Sequence, residues 1–404
     1  PRQLQLEMGH PWVYDDEIAN ISELGVHTAG TLVDVVDSLE QPMGVGVMNR
    51  QASIVVRRME GLTPGTDVTQ DVIRGRLRAA FAARERLHGH EAVTYTRVVH
   101  GESDGLPGIS VDRFGSSAVV IFESVGSARL EFLVQEELTR WMGRLETLAV
   151  HRMSSKKEKW AQGGTEFTTY LVRGDSPRVP VMEPSCTFEF DVHQGVLGHW
   201  HYGLEVLRQS LVARVAHSGT ILDAWAHLGQ WGTRCARMGA TEVVMLEDSL
   251  SFAKLCKDNV ARNDVDLQCT VLHRSDVFEE LESMATSGIR FNCVSLNLRI
   301  RFEFYWKQRR GQFGRWHKPT LKGYARAVRL AAQVTSRGGY LVVTFLLPLS
   351  AEHWAVSLIQ DGLERASRVG SLVYHATAVN DDAALASSTM EDAWNPVVVC
   401  VRLN

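Results

Sequence analysis

The chain has 404 residues, 45% of them hydrophobic and 22% charged, the composition of a globular protein of two or three domains. Its net charge of -4 does not advertise nucleic-acid binding, so any such binding needs a local basic face. Residues 1–20 mix charged and apolar side chains without a signal-peptide pattern, and the longest apolar run, Gly339–Leu349, suits a buried strand rather than a membrane span. The six cysteines (Cys186, Cys235, Cys256, Cys269, Cys293, Cys400) are scattered, with no C-x-x-C pair. That spacing disfavours zinc and predicts free thiols in a reducing cytoplasm.

In chain order, Thr31–Val36, Gly44–Met48 and Ile54–Met59 read as strands, and Thr63–Thr69 as a Pro/Gly linker. A helix is predicted over Gln70–Leu87, ending at His88-Gly89. Strands Tyr95–Val99 and Ala118–Phe122, helix Leu130–Met142 and strand Thr147–His151 follow, then a polar, basic stretch, Ser154–Gly164. Two prolines mark a second boundary near Val179–Pro184. From Thr220 the pattern alternates: strands Thr220–Ala224, Glu242–Leu246, Gln268–His273, Asn292–Leu296 and Tyr340–Thr344, with helices beginning at Gly232, Ser251, Val277 and Leu321 between them. Helix Ala351–Leu363 and strands Arg368–His375 and Val397–Leu403 complete the chain. Such alternation predicts a parallel sheet that takes ligands at the carboxyl ends of its strands.

Gly9-His10-Pro11-Trp12-Val13-Tyr14 resembles the opening of a PUA domain in the large-subunit ribosomal RNA cytosine-5 methyltransferases. The run His100-Gly101-Glu102-Ser103-Asp104-Gly105-Leu106-Pro107-Gly108, with Val111-Asp112-Arg113-Phe114-Gly115, resembles the central domain of the same family, and the later spacing fits too. The resemblance implies an α/β protein with an N-terminal PUA β-barrel-like domain (residues 1–68), a central α/β domain (70–182) and a C-terminal Rossmann-like methyltransferase domain (187–404). It also implies RNA, specifically ribosomal RNA, as partner, S-adenosylmethionine as methyl donor and carbon 5 of a cytosine as target; a homodimer is among the assemblies it allows.

Carried over position by position, Asp223, Gly229, Glu247 and Asp276 match donor-binding positions of the family. In Asp223-Ala224-Trp225-Ala226-His227-Leu228-Gly229-Gln230-Trp231 the family's second glycine is Gln230, and Trp225, His227 and Trp231 add bulk where the backbone must approach the donor. The same loop also reads as an ordinary strand–helix turn. Glu247 and Asp276 each precede a helix, so a capping role stands beside the ribose and adenine roles the resemblance implies. The family's Asp-Pro-Pro is replaced by Asn297-Leu298-Arg299, and Val343-Thr344-Phe345-Leu346-Leu347-Pro348 lacks the family's cysteine. Cytosine carbon 5 becomes nucleophilic only after a thiolate adds at carbon 6, so the resemblance yields no catalytic residue here. Leu197-Gly198-His199, Gly203-Leu204-Glu205 and Asp381-Asp382-Ala383 likewise depart from family motifs.

His199 and His201 form an H-x-H pair without an identifiable third ligand, which reads more simply as surface histidines; no metal is expected. Between Arg299 and Arg329 basic residues interleave with aromatics: Arg299, Arg301, Trp306, Arg309, Arg310, Arg315 and Trp316 are candidates for single-stranded RNA, against the alternative of a solvated loop and helix. Three readings follow: an inactive or impaired relative that keeps RNA binding, an active enzyme with a rebuilt site, and a structural or assembly protein.

Overall fold

The computed structural model describes the chain except residues 1–5, 8, 51, 53, 90–91, 154–166, 195–199, 201, 299–317, 349–352 and 378–393. Four antiparallel strands open it: β1 (Trp12–Tyr14), β2 (Thr31–Val36), β3 (Pro42–Met48) and β4 (Ile54–Met59), in the order β1-β4-β3-β2. Val13, Met48, Val55 and Val56 are buried there and make a small core. Helix α1 (Gln70–His88) follows, started by the Thr69 side chain, which accepts the Val72 N–H, and stopped by Gly89 at φ 77°. Ile73, Leu77, Ala80 and Phe81 recur at helical spacing and pack on the next sheet.

That sheet has five strands in chain order, β5 (Tyr95–His100), β6 (Ile109–Phe114), β7 (Ser117–Phe122), β8 (Thr147–Met153) and β9 (Phe167–Arg173). Helices α2 (Val125–Ala128) and α3 (Glu131–Met142) connect β7 to its parallel neighbour β8. The seam with the N-terminal sheet is charged. Trp12 Nε1 donates to Glu102 Oε1 at 2.8 Å, and Arg57 pairs with the same carboxylate, reaches Glu123 at 4.0 Å and lies over the Trp12 ring at 5.5 Å. The carboxylate of the Gly101-Glu102-Ser103 run thus fastens the two sheets together.

Where the two prolines suggested a break, the chain forms a hairpin, β10 (Arg178–Glu183) and β11 (Cys186–Asp191). Val179 and Val181 alternate inward while Pro180 and Met182 face out, and among the described residues only β11 pairs with β10, so a proline is tolerated. Val179, Val181, Phe188 and Phe190, all fully buried, join Phe114, Val119 and Ala149 to Trp200, Leu228 and Leu255 in one cluster. Pro184 and Ser185 form the exposed turn of this hairpin.

The remaining chain is a doubly wound sheet. Helix α4 (Glu205–Val215) leads to β12 (Thr220–Ala224), α5 (Gln230–Arg237), β13 (Glu242–Glu247), α6 (Leu250–Arg262), β14 (Cys269–His273) and α7 (Val277–Thr286). Then come β15 (Phe291–Asn297), α8 (Lys318–Val334), β16 (Thr335–Pro348), α9 (His353–Arg365), β17 (Gly370–Thr377) and β18 (Trp394–Leu403). The strand order is β14-β13-β12-β15-β16-β18-β17, parallel through β16, with β18 antiparallel between β16 and β17. The winding reverses between β12 and β15, the position at which sheets of this kind take ligands. One apolar cluster packs the sheet against α7, α8 and α9, and another against α4, α5 and α6. Beneath the second, Glu183 pairs with both Arg208 and Arg234, all three closed to water.

Candidate functional site

The loop from β12 to α5 carries two side chains in left-handed backbone, Trp225 (φ 56°) and His227 (φ 55°). Bulky residues rarely adopt this region, each at a cost of about 1–3 kcal/mol, and such strain collects where a loop is held in a required shape. Gly229 follows at φ 77° and starts α5; a Cβ there would lie 2.7 Å from Cys256 Sγ. Internal packing alone therefore demands this glycine. Gln230 takes the next position and is buried.

The three bulky side chains do not converge. Trp225 joins the cluster under α7 and α8, meets Phe278 edge-on at 5.1 Å, and donates from Nε1 to Asp248 at 3.2 Å. Trp231 joins the cluster on the other face, and His227 stands against Phe252 at 4.4 Å.

The matched acids have defined partners. Asp223 Oδ2 accepts the Gly232 N–H at 3.0 Å, tying the strand to the first turn of α5. Burial pushes its carboxyl up to about 7, against the lowering effect of that N–H and of the Ser295 hydroxyl. Glu247, 4% exposed, accepts the His227 N–H on one oxygen at 2.7 Å and the Ser249 N–H on the other at 2.9 Å. Asp276 caps α7 by accepting the Phe278 N–H at 2.8 Å. Asp276 thus caps a helix, whereas Glu247 holds loop backbone and Ser249 caps α6.

On the sheet face toward α5, polar side chains collect at the reversal point. Asp223 is in register with Ser295, and Asn297 with Thr344. Asn297 is 4% and Thr344 1% exposed, and neither Asn297 Oδ1 nor Thr344 Oγ1 has a hydrogen-bond partner among the described residues. Asn297 stands out in the sequence only as a lost aspartate, and Ser295 and Thr344 do not stand out at all. Their signal was a polar residue at an inward position of a buried strand.

All six cysteines are free and described. Cys293 and Cys400 lie within β15 and β18, Cys235 and Cys256 within α5 and α6, Cys269 at the start of β14, and Cys186 at the start of β11. Burial pushes every one of these thiols up. None lies at the carboxyl end of β15 or β16.

Arg299, Arg301, Trp306, Arg309, Arg310, Arg315 and Trp316 lie outside the described residues, as do His199 and His201. The end of the basic stretch is described and is spent on packing. Arg326 and Arg329 both pair with Glu282, at 3.2 and 3.3 Å, and Arg326 lies over the Phe278 ring at 4.7 Å. Among the described residues no His/Cys/Asp/Glu group could hold a metal, and no helix is long and apolar enough to cross a membrane.

Residues 2–60 match the PUA-like domain family. Over 343 residues the chain is 26% identical to ribosomal RNA large subunit methyltransferase I of Shewanella denitrificans, covering 84% of this chain and 82% of that one. The likeness is to ribosomal RNA methyltransferases. A solved structure from Streptococcus mutans named for SAM-dependent methyl transfer superposes with a TM-score of 0.77, covering 99% of this chain and 97% of that one at 11% identity. A second, with the same TM-score, identity and coverage, is a methyltransferase complexed with SAH. The architecture is therefore the expected one, a PUA-like domain followed by mixed α/β structure with the Rossmann-like fold of SAM-dependent methyltransferases.

Proposed function

We propose that this protein binds RNA on a methyltransferase scaffold without carrying out thiol-dependent methyl transfer to carbon 5 of cytosine. One observation carries the reading: every cysteine is placed, every thiol is raised by burial, and none stands at the edge where a base would meet a donor. Addition at cytosine carbon 6 needs a thiolate, and an amide at Asn297 does not replace it. The RNA half rests on the PUA-like domain and on the name of the relatives, with the basic aromatic residues from Arg299 to Trp316 as the RNA-facing candidates.

S-adenosylmethionine, the donor of the related enzymes, fits these residues poorly. The Glu247 carboxylate is buried and already accepts a loop N–H on each oxygen, which leaves ribose hydroxyls only its remaining lone pairs. Asp276 is engaged in its cap. Calorimetry with S-adenosylmethionine should give little heat, and a micromolar dissociation constant would overturn this part of the reading.

The whole reading is tested by incubating the chain with ribosomal RNA and S-adenosylmethionine, followed by mass spectrometry of the nucleosides. No added methyl group is expected. Fluorescence anisotropy on a short single-stranded RNA should show binding that weakens with salt. Methyl transfer to any atom removes the inactive reading, and absence of binding leaves the structural or assembly role.

A further inference from the structure

We propose that the amino edge of the large sheet is a phosphate-binding rim for single-stranded RNA, formed by Arg290, Arg337, Arg368 and Arg402, a proposal that rests on the RNA-binding reading above. The rim lies at the opposite end of the strands from the loop that carries Trp225 and His227. Arg290 directly precedes β15, and Arg368 lies in the link from α9 to β17. Arg337 lies near the start of β16, where Phe291 is in register with Thr335. Because β18 runs antiparallel to β16, its last residues return to the same edge, and Arg402 is in register with Tyr340. Arg402 Nε donates to the Gly338 carbonyl and Arg368 to the Ser336 carbonyl, each at 3.3 Å, which sets both beside Arg337. Backbone oxygens also hold Arg368 at Ala332 and Thr335, both at 2.9 Å, and Arg290 at Ile289, at 2.8 Å.

Charge at the rim is not balanced. Nearby arginines are neutralised: Arg326 and Arg329 share Glu282, and Arg365 pairs with Asp361. Among the described residues no carboxylate pairs with the four rim arginines, and the charges that act on Arg368 are those of Arg337 and Arg290. Glu242, Asp264 and Asp266, acids at the same edge, stand at its β13 and β14 end, across β12 from the rim. Arg290, Arg337 and Arg402 are exposed and Arg368 is half-buried, so the forks are open to a ligand. Each guanidinium presents planar donors that match phosphate oxygens. The arginines spread over β15, β16 and β18, neighbouring strands about 4.8 Å apart, and so form a row of cations that suits a chain of phosphates better than one isolated anion. Exposed Ile289 and Val369 stand beside Arg290 and Arg368 and offer apolar surface to sugars and base faces. In a chain of net charge -4, a local face of this kind is what a polyanion requires.

The test uses the full chain and single-stranded oligouridylate, read by fluorescence anisotropy over a series of salt concentrations. One variant combines Arg290→Gln with Arg337→Gln, and a second combines Arg290→Lys with Arg337→Lys. Arg368 is left alone because it holds the last carbonyls of α8. Both substituted positions are exposed and lack an ion pair, so the thermal midpoint should stay that of the parent. The expected result is about tenfold weaker binding by the glutamine variant at low salt and a salt slope smaller by about 1–2, while the lysine variant keeps the parent's slope. Parent-like affinity and slope in the glutamine variant overturn the rim and leave RNA binding to other surfaces. Equal loss of slope in both variants also overturns it, because charge is then not what acts. A glutamine variant that loses affinity for polyglutamate but not for the RNA assigns the rim to an acidic protein instead. Failure of the parent to bind the RNA overturns the RNA reading and the rim together.

Discussion

The Glu247 carboxylate accepts the His227 backbone N–H at 2.7 Å, so the end of one strand holds the strained loop that leaves its neighbour. The same carboxylate holds the Ser249 N–H. Glu247→Gln keeps one acceptor and turns an N–H₂ group toward the other donor. It should lower stability by about 1–3 kcal/mol in urea unfolding, with no change in the slope of the transition. An unchanged midpoint would mean that the loop does not depend on this bridge.

Asp223 makes stability depend on pH. Its folded-state value of about 7 lies above the ordinary 3.8, because burial disfavours the charged form. At pH values below the ordinary one, both folded and unfolded chains are protonated and no penalty arises. As pH rises toward about 7 the folded chain retains a proton that the unfolded chain has lost, so stability falls and the full penalty is present above that value. Asp223→Asn should therefore match the parent near pH 4 and exceed it near pH 8, by up to about 4 kcal/mol. Parallel stability profiles for the two proteins would sink the assignment.

Arg57 is the cation shared by Glu102 and Glu123 at the seam of the first two sheets. Arg57→Ala leaves a buried carboxylate uncompensated and should cost about 3–5 kcal/mol. Trp12→Phe removes only the indole N–H to Glu102 and should cost about 1 kcal/mol. Chemical denaturation of both variants checks the order, and a milder effect for Arg57→Ala would contradict it.

The basic residues between Arg299 and Trp316 should act through charge. Replacing Arg309 and Arg310 with alanine should weaken RNA binding across sequences and reduce the salt slope by about 2. Replacing Trp306 or Trp316 should cost about 1–3 kcal/mol if a base stacks there. Anisotropy at two salt concentrations decides: a double variant that binds like the parent at both makes the stretch a solvated surface.

Placing a thiol at the old position should not create an enzyme. Leu346→Cys supplies sulfur but leaves Asn297-Leu298-Arg299 in place of the family's rigid turn, and nucleophile and positioning act as a unit. Methylated cytidine in RNA treated with this variant, seen by mass spectrometry, would refute that argument.

The doubly wound sheet was legible because its strands are apolar runs punctuated by helical periodicity, and each predicted strand there found its place. Helix α4 escaped notice although Leu207, Leu211 and Val215 recur at helical spacing, because its start was read as a set of altered motifs. Strand β6 was hidden inside the Val111-Asp112-Arg113-Phe114-Gly115 motif. The hairpin β10–β11 was obscured by prolines, which signal a break unless the strand lies at an edge. At the site the acids were found, but the engagement of their oxygens depends on loop backbone that no spacing rule describes. The pairing of Asn297 with Thr344 depends on sheet register between residues far apart in the chain, to which a single sequence offers no guide.

Asn259 and Asn263 bind the hairpin to α6 by imitating a strand. Asn259 accepts the Glu189 N–H at 2.7 Å and donates to the Glu189 carbonyl at 3.0 Å, and Asn263 does the same for Thr187 at 2.9 and 2.7 Å. The Asn259 amide also donates to the Leu228 carbonyl, in the loop before α5. One side chain without charge or titratable proton therefore couples the central sheet's companion hairpin to the strained loop. A linkage of this kind is indifferent to ionic strength and acidity, so the loop should keep its attachment under the salt and pH conditions that would loosen the RNA and titrate Asp223.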